Sequence, residues 1–225
     1  MVKNADIIVI GSGVIGSSVA YNLTKKGAKV TLIEGGTLGC GSSCACAGFV
    51  IMQSKSPGPH LTMALASEIL YRTLPEELDW DIGYRHCGGM IVIERPEELE
   101  AMKIFMSKQQ SLGREVQLLT GDEARKIEPA LAPHIVGATI SSRDAQVNPM
   151  YLVNGYLHAA KRKGLTICKN MPVTDITTEG GKVTGVVAGG EKFSSGTVGY
   201  CGGVQTPKLM HKRGVDVPIQ PGPGP

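Results

Sequence analysis

Apolar and polar residues follow each other in blocks along the first 34 residues. A run of four apolar residues at 7–10 ends at Gly11 and predicts a buried strand. The next apolar residues recur at a spacing of four, which predicts a helix; they are Ile15, Val19 and Leu23. The segment Lys29–Ile33, rich in apolar and β-branched residues, predicts another strand. The order strand, glycine turn, helix, strand is typical of an α/β protein.

The pattern changes between residues 76 and 147, where charged residues are more frequent and glycines fewer. Pro96 in a first turn and Gly113 as a terminator predict one helix. Thr120 and Glu123 have the spacing of a capping box and predict the start of another helix. This stretch is therefore expected to form a separate layer or an inserted domain.

From residue 148 the α/β alternation returns. Asn148 as N-cap, Pro149 at the first helical position and Gly164 past the end predict a helix of roughly four turns. Three short runs separated by paired glycines then predict an antiparallel meander; the runs are 173–178, 182–188 and 192–193. A last strand is predicted at 197–201.

Composition and charge exclude two broad classes of protein. The 225 residues include 23 Lys and Arg, 20 Asp and Glu, and 42% apolar residues, so intrinsic disorder is not expected. The formal net charge of +3 provides no broad basic field for nucleic acid. The 30 glycines are concentrated near both ends, where they predict tight turns or close approach to a ligand.

The N-terminus and the cysteines indicate in which cellular compartment the protein is expected. The apolar run at 7–10 is too short for a secretory leader, and the sequence has no apolar stretch of about 20 residues that would span a membrane. A cytoplasmic protein without a transmembrane segment is therefore expected. In that setting the six cysteines are expected to be reduced thiols.

The segment 11–16 reads Gly-Ser-Gly-Val-Ile-Gly and matches the G-x-G-x-x-G pattern between a predicted strand and a predicted helix. Its glycines allow a tight turn, close approach to a pyrophosphate and close helix packing. Glu34 ends the second strand, where an acid binds ribose hydroxyls. The arrangement predicts dinucleotide binding. The acid argues against a 2′-phosphate, but it does not separate NAD from FAD.

A loop of small residues follows at 39–48 and suits contact with a flat or anionic ligand. A flexible surface loop is the alternative. Cys40, Cys44 and Cys46 also raise the possibility of a metal site or a redox-active thiol, but their spacing lacks the paired C-x2-C of common metal sites. Small packing residues are the favoured interpretation, and no metal is expected.

Several segments, taken in order, resemble the D-amino-acid oxidase-like flavoprotein family, which includes glycine oxidase, sarcosine oxidase and amino-acid dehydrogenases. The resemblance extends over nearly all of the chain. The segments that carry it are 11–16, 39–48, Gly88–Ile93, Val147–Pro149, Val173–Ile176 with Gly181–Val186, and Cys201–Gly203.

The resemblance implies a Rossmann-like FAD-binding domain with an inserted α+β substrate domain, both incomplete because family members continue beyond the last residue here. The implied segments are 1–75 for the first part of the FAD-binding domain, 76–147 for the substrate domain, 148–216 for the return part, and 217–225 for the start of a substrate-domain strand and a Gly/Pro tail.

The same resemblance implies which residues bind FAD. The expected cofactor-binding residues are Gly11, Ser12, Gly13, Val14, Ile15 and Gly16 around the pyrophosphate, Glu34 and Gly35 near the ribose, Gly41, Ser42, Ser43, Ala47 and Gly48 along the phosphates, Val173 at the adenine, and Cys201, Gly202 and Gly203. No catalytic residue is identified, since the family's substrate-binding residues mostly lie later in the chain.

The implied activity is oxidation of the C–N bond of a small amino acid or secondary amine by hydride transfer to the flavin. One alternative is a chain that binds FAD but needs a second subunit for activity. Another is an NAD-dependent dehydrogenase, although the five histidines form no recognisable catalytic set. An electron-transfer partner is also possible, whereas a nucleic-acid partner is not expected.

Overall fold

A computed structural model of the chain describes residues 3–111 and 115–222. Gly113, predicted to end a helix, lies outside the described residues, as do the last three residues of the Gly/Pro tail. The chain divides into two compact units. The first unit takes its residues from 1–47, 76–82 and 148–225, and the second from 48–75 and 83–147.

The helices and strands are numbered in chain order. The helices are α1 (Val14–Lys25), α2 (Ser42–Ala45), α3 (Pro59–Leu78), α4 (Pro96–Gln110), α5 (Gly121–Ile127), α6 (Pro149–Arg162) and α7 (Thr206–His211). The strands are β1 (Lys3–Asn4), β2 (Ile7–Ile10), β3 (Val30–Ile33), β4 (Phe49–Val50), β5 (Gly89–Ile93), β6 (Val116–Thr120), β7 (Gly137–Ser141), β8 (Ala145–Gln146), β9 (Thr166–Cys168), β10 (Val173–Glu179), β11 (Lys182–Ala188), β12 (Glu191–Ser194) and β13 (Thr197–Tyr200).

The two units differ from the predicted segments at two places. Residues 217–222 fall in the first unit, whereas the prediction gives this segment to the substrate domain. The contacts group 48–75 with the second unit and 76–82 with the first, whereas the prediction begins the substrate domain at residue 76. Side-chain bonds explain this grouping, since Glu68 pairs with Arg143 in the second unit while Glu77 accepts a bond from Tyr21 in the first. The boundaries of the complete domains stay a prediction.

The first unit is built on a parallel sheet in the order β13-β2-β3-β9, as a Rossmann-like α/β fold requires. Strand β3 is buried along its whole length, and three of the four residues of β2 are buried. The second sheet of this unit has the order β1-β12-β11-β10 and contains the predicted antiparallel meander. Ile8 and Ile33 of the parallel sheet and Phe193 of the meander share one core.

Helix α1 forms where the spacing predicted it, but the marker residues do not define its buried face. Ile15 is 65% exposed, while the buried positions are Gly16, Ser17, Ala20, Tyr21 and Thr24. The glycine turn explains the difference. Gly16 lies against the backbone of Gly11, so the face that carries the small residues packs inward.

Residues 76–82 are tied to the helices of the first unit by polar contacts. The Tyr21 hydroxyl donates a 2.9 Å hydrogen bond to Glu77, which also accepts a 2.7 Å bond from Lys25. Burial and the bond to Glu77 raise the pKa of Tyr21 to about 12. Trp80 packs against Gly155 of α6, where a Cβ would lie 2.8 Å from the indole Cδ1.

Helix α6 begins as predicted. The Asn148 side chain accepts bonds from the amides of Met150 and Tyr151, and Pro149 is the first helical residue. The Thr120 capping box is also confirmed, with a 2.8 Å bond from the Thr120 amide to Glu123.

The second unit contains an antiparallel sheet in the order β5-β7-β6 and the pair β4-β8. A buried polar cluster, formed by Gln53, Gln109, Thr139 and Asp144, joins segments distant in sequence. Asp144 accepts 2.8 Å bonds from the Met52 amide and the Gln53 side chain. Gln53 also accepts from Thr139 at 2.7 Å, and Gln109 donates to the Gln53 carbonyl at 2.8 Å.

The exposed surface of helix α3 includes the apolar residues Ile69 and Leu70. Glu68, the residue directly before them, is fully buried. It pairs with Arg72 four residues later and with Arg143 at 2.5 Å. Burial favours protonation of Glu68, but the bonds from Arg143 and Arg72 outweigh it and lower its pKa. Within 3–111 and 115–222, no helix has the length and apolar character needed to cross a lipid bilayer.

Candidate dinucleotide site

The glycine turn between β2 and α1 leaves no room for side chains. Gly11 has a φ of 97°, and a Cβ there would lie 2.4 Å from the Cys201 carbonyl oxygen. A Cβ at Gly16 would lie 1.9 Å from the Gly11 carbonyl oxygen. Both distances are far shorter than a contact between a carbon and an oxygen atom allows, so the turn requires glycine at these two positions.

Gly13 is the N-cap of α1, and no side chain caps it. A Cβ at Gly13 would meet a single group, the Ser43 hydroxyl at 3.1 Å. The Val14 amide donates a 2.9 Å bond to that hydroxyl. The first turn of α1 thus places backbone N–H groups and the positive end of a helix dipole at a half-buried position where Gly13 has no side chain, which suits an anion.

Glu34 follows β3 and lies beside the turn, as the spacing predicts. Its Oε2 accepts a 2.8 Å bond from the Ser12 amide and a 2.7 Å bond from the Ser12 hydroxyl. Its Oε1 accepts a 2.9 Å bond from the Gly36 amide. The Ser12 hydroxyl in turn accepts a 3.0 Å bond from the Gly39 amide. The turn, the acid and the start of the small-residue loop are therefore linked by one side chain.

The small-residue loop contains the short helix α2. Cys44 Sγ accepts a 3.3 Å bond from the Gly41 amide and donates to the Gly41 carbonyl at 3.2 Å. Both bonds lie within the loop and connect its residues 41 and 44. Ser42 and Ala47 are exposed and Ser43 is half-buried. Gly48 belongs to the second unit, where its carbonyl accepts a 2.9 Å bond from the Val147 amide.

The six cysteines are free thiols in the structure. Desolvation and the neighbouring Cys44 raise the pKa of Cys40, and burial raises the pKa of Cys201. In the part of the chain that the structure describes, no three His, Cys, Asp or Glu side chains are grouped so that they could hold a metal ion.

The remaining predicted residues lie around the carboxyl end of the parallel sheet. The Cys201 amide donates a 2.8 Å bond to the Ile10 carbonyl, which places the 201–203 segment beside the glycine turn. A Cβ at Gly35 would lie 3.3 Å from Pro172 Cα, so the residue after Glu34 is next to the start of β10, where Val173 lies half-buried. A Cβ at Gly202 would lie 2.8 Å from the Tyr200 ring, and Gly203 has a φ of 55°.

The structure thus brings together most of the residues expected to bind FAD. Gly11, Ser12, Gly13, Gly16, Glu34 and Ser43 are joined by close backbone approach or hydrogen bonds. The Ile15 side chain points to solvent, so only its backbone belongs to the turn. A pyrophosphate fits the amides at the start of α1, and a ribose fits the carboxylate of Glu34. Residue by residue, the roles stay predictions.

Two contacts were not expected from the sequence. The bond from Ser12 to Glu34 joins residues 22 positions apart, and the bond from Val14 to Ser43 joins residues 29 positions apart. Ser12 stands at a position of the motif that any residue can occupy, so the pattern itself does not indicate its role. A serine there together with an acid after the second strand is the signal that could have been used.

Comparison with known proteins extends this picture to the whole chain. A family model described as FAD dependent oxidoreductase (DAO) matches residues 6–224. The chain belongs to this family. FAD is the family's cofactor, and the glycine turn and Glu34 lie at the start of the matched region.

The chain is similar to several family members of known activity. It is 31% identical to glycine oxidase of Bacillus licheniformis over 226 residues, covering 98% of this chain and 60% of that protein. A crystal structure of glycine oxidase from Geobacillus kaustophilus matches with a TM-score of 0.90 at 29% identity, covering 96% of this chain and 60% of that chain. One of the subunits of opine oxidase from Agrobacterium tumefaciens is 27% identical, with 96% of this chain and 60% of that protein covered. The chain therefore spans about 60% of the length of these relatives.

Proposed function

We propose that this flavin-dependent oxidoreductase of the glycine oxidase type acts on a small amino acid or secondary amine. The observation that carries the proposal is the set of hydrogen bonds that links the glycine turn, Glu34 and the small-residue loop. The similarity to glycine oxidase, which covers 98% of this chain, supports it. The chain spans about 60% of the length of that relative.

In this proposal the residues of the first unit hold and orient the cofactor. The amides at the start of α1 bind the pyrophosphate, because Gly13 provides no side chain there and the helix N-terminus carries the positive end of the helix dipole. Glu34 accepts a bond from the ribose. When bound, FAD would supply a hydride acceptor for oxidation of the C–N bond of the substrate to an imine, which water would hydrolyse.

The test is a titration of the purified chain with FAD, followed by addition of glycine or sarcosine without oxygen. We expect the chain to take up FAD and the visible flavin absorbance to bleach on addition of substrate. A folded protein that takes up no FAD would contradict the proposal. FAD uptake without bleaching would favour the alternative in which a second subunit is needed, which the similarity to a component of opine oxidase supports.

A matched pair of variants sharpens the test. Gly13→Asp puts a negative charge at the start of α1, where it favours the helix but repels a pyrophosphate. Asn22→Asp adds the same charge on an exposed position of the same helix. We expect the first variant to lose FAD and the second to keep it. Thermal unfolding with FAD or NADH present distinguishes the NAD-dependent alternative, because the true cofactor raises the melting temperature.

A further inference from the structure

We propose that Ser12 is a positioning residue that leaves Glu34 a single free acceptor position, so that the site recognises one ribose hydroxyl much more strongly than the other. This inference rests on the proposed function, because it concerns the adenosine part of FAD. It assigns to Ser12 a role in selecting the ligand, which is more than lining the turn.

The bonds that Glu34 already makes support the first part of the proposal. A carboxylate has about four acceptor positions, two on each oxygen. The Ser12 amide and the Ser12 hydroxyl take both positions on Oε2, and the Gly36 amide takes one on Oε1. One position on Oε1 therefore remains for a ligand, whereas a carboxylate that clamps two neighbouring hydroxyls needs two.

The surroundings of Ser12 fix this arrangement. Its side chain is completely buried, and its hydroxyl both donates to Glu34 and accepts the bond from the Gly39 amide. Turning the hydroxyl away from Glu34 would break the 2.7 Å bond to the carboxylate. The Ser12 carbonyl is held as well, because it accepts a 2.9 Å bond from the Ser17 hydroxyl.

Removal of the Ser12 hydroxyl has a defined consequence for ligand recognition. In Ser12→Ala, one acceptor position on Oε2 becomes free, and the carboxylate keeps the two backbone amides but loses one of its three donors. The carboxylate can then turn and accept bonds from both ribose hydroxyls. The preference for one hydroxyl should therefore fall, even if the variant binds the nucleotide more weakly.

The experiment measures the affinity of the 225-residue chain for ADP, 2′-deoxy-ADP and 3′-deoxy-ADP by calorimetry. For the wild-type chain we expect loss of the recognised hydroxyl to weaken binding by about ten- to a hundredfold, as for a hydrogen bond to a charged group, and loss of the other by about twofold at most. In Ser12→Ala the two deoxynucleotides should bind within about threefold of each other. Ser12→Thr, which keeps a hydroxyl, should restore the preference.

Ser17→Ala is the matched control, because it removes another buried serine hydroxyl bonded to the same turn but not to Glu34. It should lower the melting temperature and keep the preference. Equal affinities of the wild-type chain for the two deoxynucleotides would overturn the proposal, and so would an unchanged preference in Ser12→Ala or its loss in Ser17→Ala. If the wild-type chain binds neither ADP nor FAD, the proposed function falls together with this inference, whereas ADP binding without a preference removes the inference alone.

Discussion

The glycine turn of the first unit and the buried polar cluster of the second unit differ in what determines their structure. The turn is made of backbone, with a φ of 97° at Gly11 and no space for a Cβ at Gly11 or Gly16. The buried polar cluster is made of side chains, since Gln53 and Asp144 bond to groups far away in sequence. The geometry of the turn is determined by the positions of its glycines along the chain. The geometry of the buried polar cluster is determined by side chains that come together only when the chain folds.

Substitution of Gly16 should give the largest effect. In Gly16→Ala the new Cβ would lie 1.9 Å from a backbone oxygen, so strand and helix must separate. We expect the free energy of unfolding to fall by about 4 kcal/mol or more, among the largest values for single substitutions. Chemical denaturation measures it. Gly196→Ala is the control, because a Cβ there has open space, and an equal loss in both variants would contradict the backbone explanation.

The buried polar cluster should be sensitive to a side-chain deletion of moderate size. Asp144→Ala leaves the buried Met52 amide without its acceptor, and it leaves the Gln53 side-chain nitrogen with one acceptor, the Gly89 carbonyl, instead of two. We expect a loss of roughly 3 kcal/mol in the free energy of unfolding, since each unsatisfied buried group costs about 1–3 kcal/mol. Asp144→Asn keeps one oxygen acceptor and should lose less. A larger loss for the asparagine variant would show that the charge, not the bonding pattern, holds the cluster.

Glu68 gives the smallest effect and the clearest pH dependence. Its pKa in the folded chain is lowered because Arg143 and Arg72 outweigh its burial. The stability it contributes is therefore present above the pKa of about 4.3 of an unfolded glutamate and is lost as the pH falls through the lower folded value. We expect Glu68→Gln to lose about 1–3 kcal/mol at neutral pH.

The pH series separates the ion pairs of Glu68 from simple packing. The difference in the free energy of unfolding between wild-type and Glu68→Gln should narrow as the pH falls below about 4.3, the pKa of an unfolded glutamate, towards the lower pKa of the folded chain. Urea unfolding at several pH values measures this difference. If this difference in the free energy of unfolding stays constant over the pH series, the variant loses packing and not an ion pair.

The features that depend on local pattern were the ones the sequence could predict. The turn at Gly11, the caps at Thr120 and Asn148 and the paired-glycine meander rest on residues close to each other in the chain. The family and its cofactor followed from the order of such segments. The roles of the individual residues toward FAD stay predictions.

The features that were missed depend on distant partners. The marker residues predicted helix α1 but not its buried face, because that face is set by contact of Gly16 with the preceding strand. Glu68 is charged and lies in an apolar-leaning helix, so pattern alone favours solvent for it, yet its two arginines allow complete burial. The bond of Ser12 to Glu34 likewise exists only once strand β3 lies beside β2.

The packing of Trp80 against Gly155 makes Trp80 an intrinsic fluorescence probe. Trp80 is the single tryptophan of the sequence and lies in the first unit, 4.9 Å from the His158 ring between centroids. Its emission therefore monitors the nucleotide-binding unit, while the second unit contributes no indole signal. Circular dichroism records the backbone of both units, so a mismatch between the two signals during denaturation would reveal that the units melt separately.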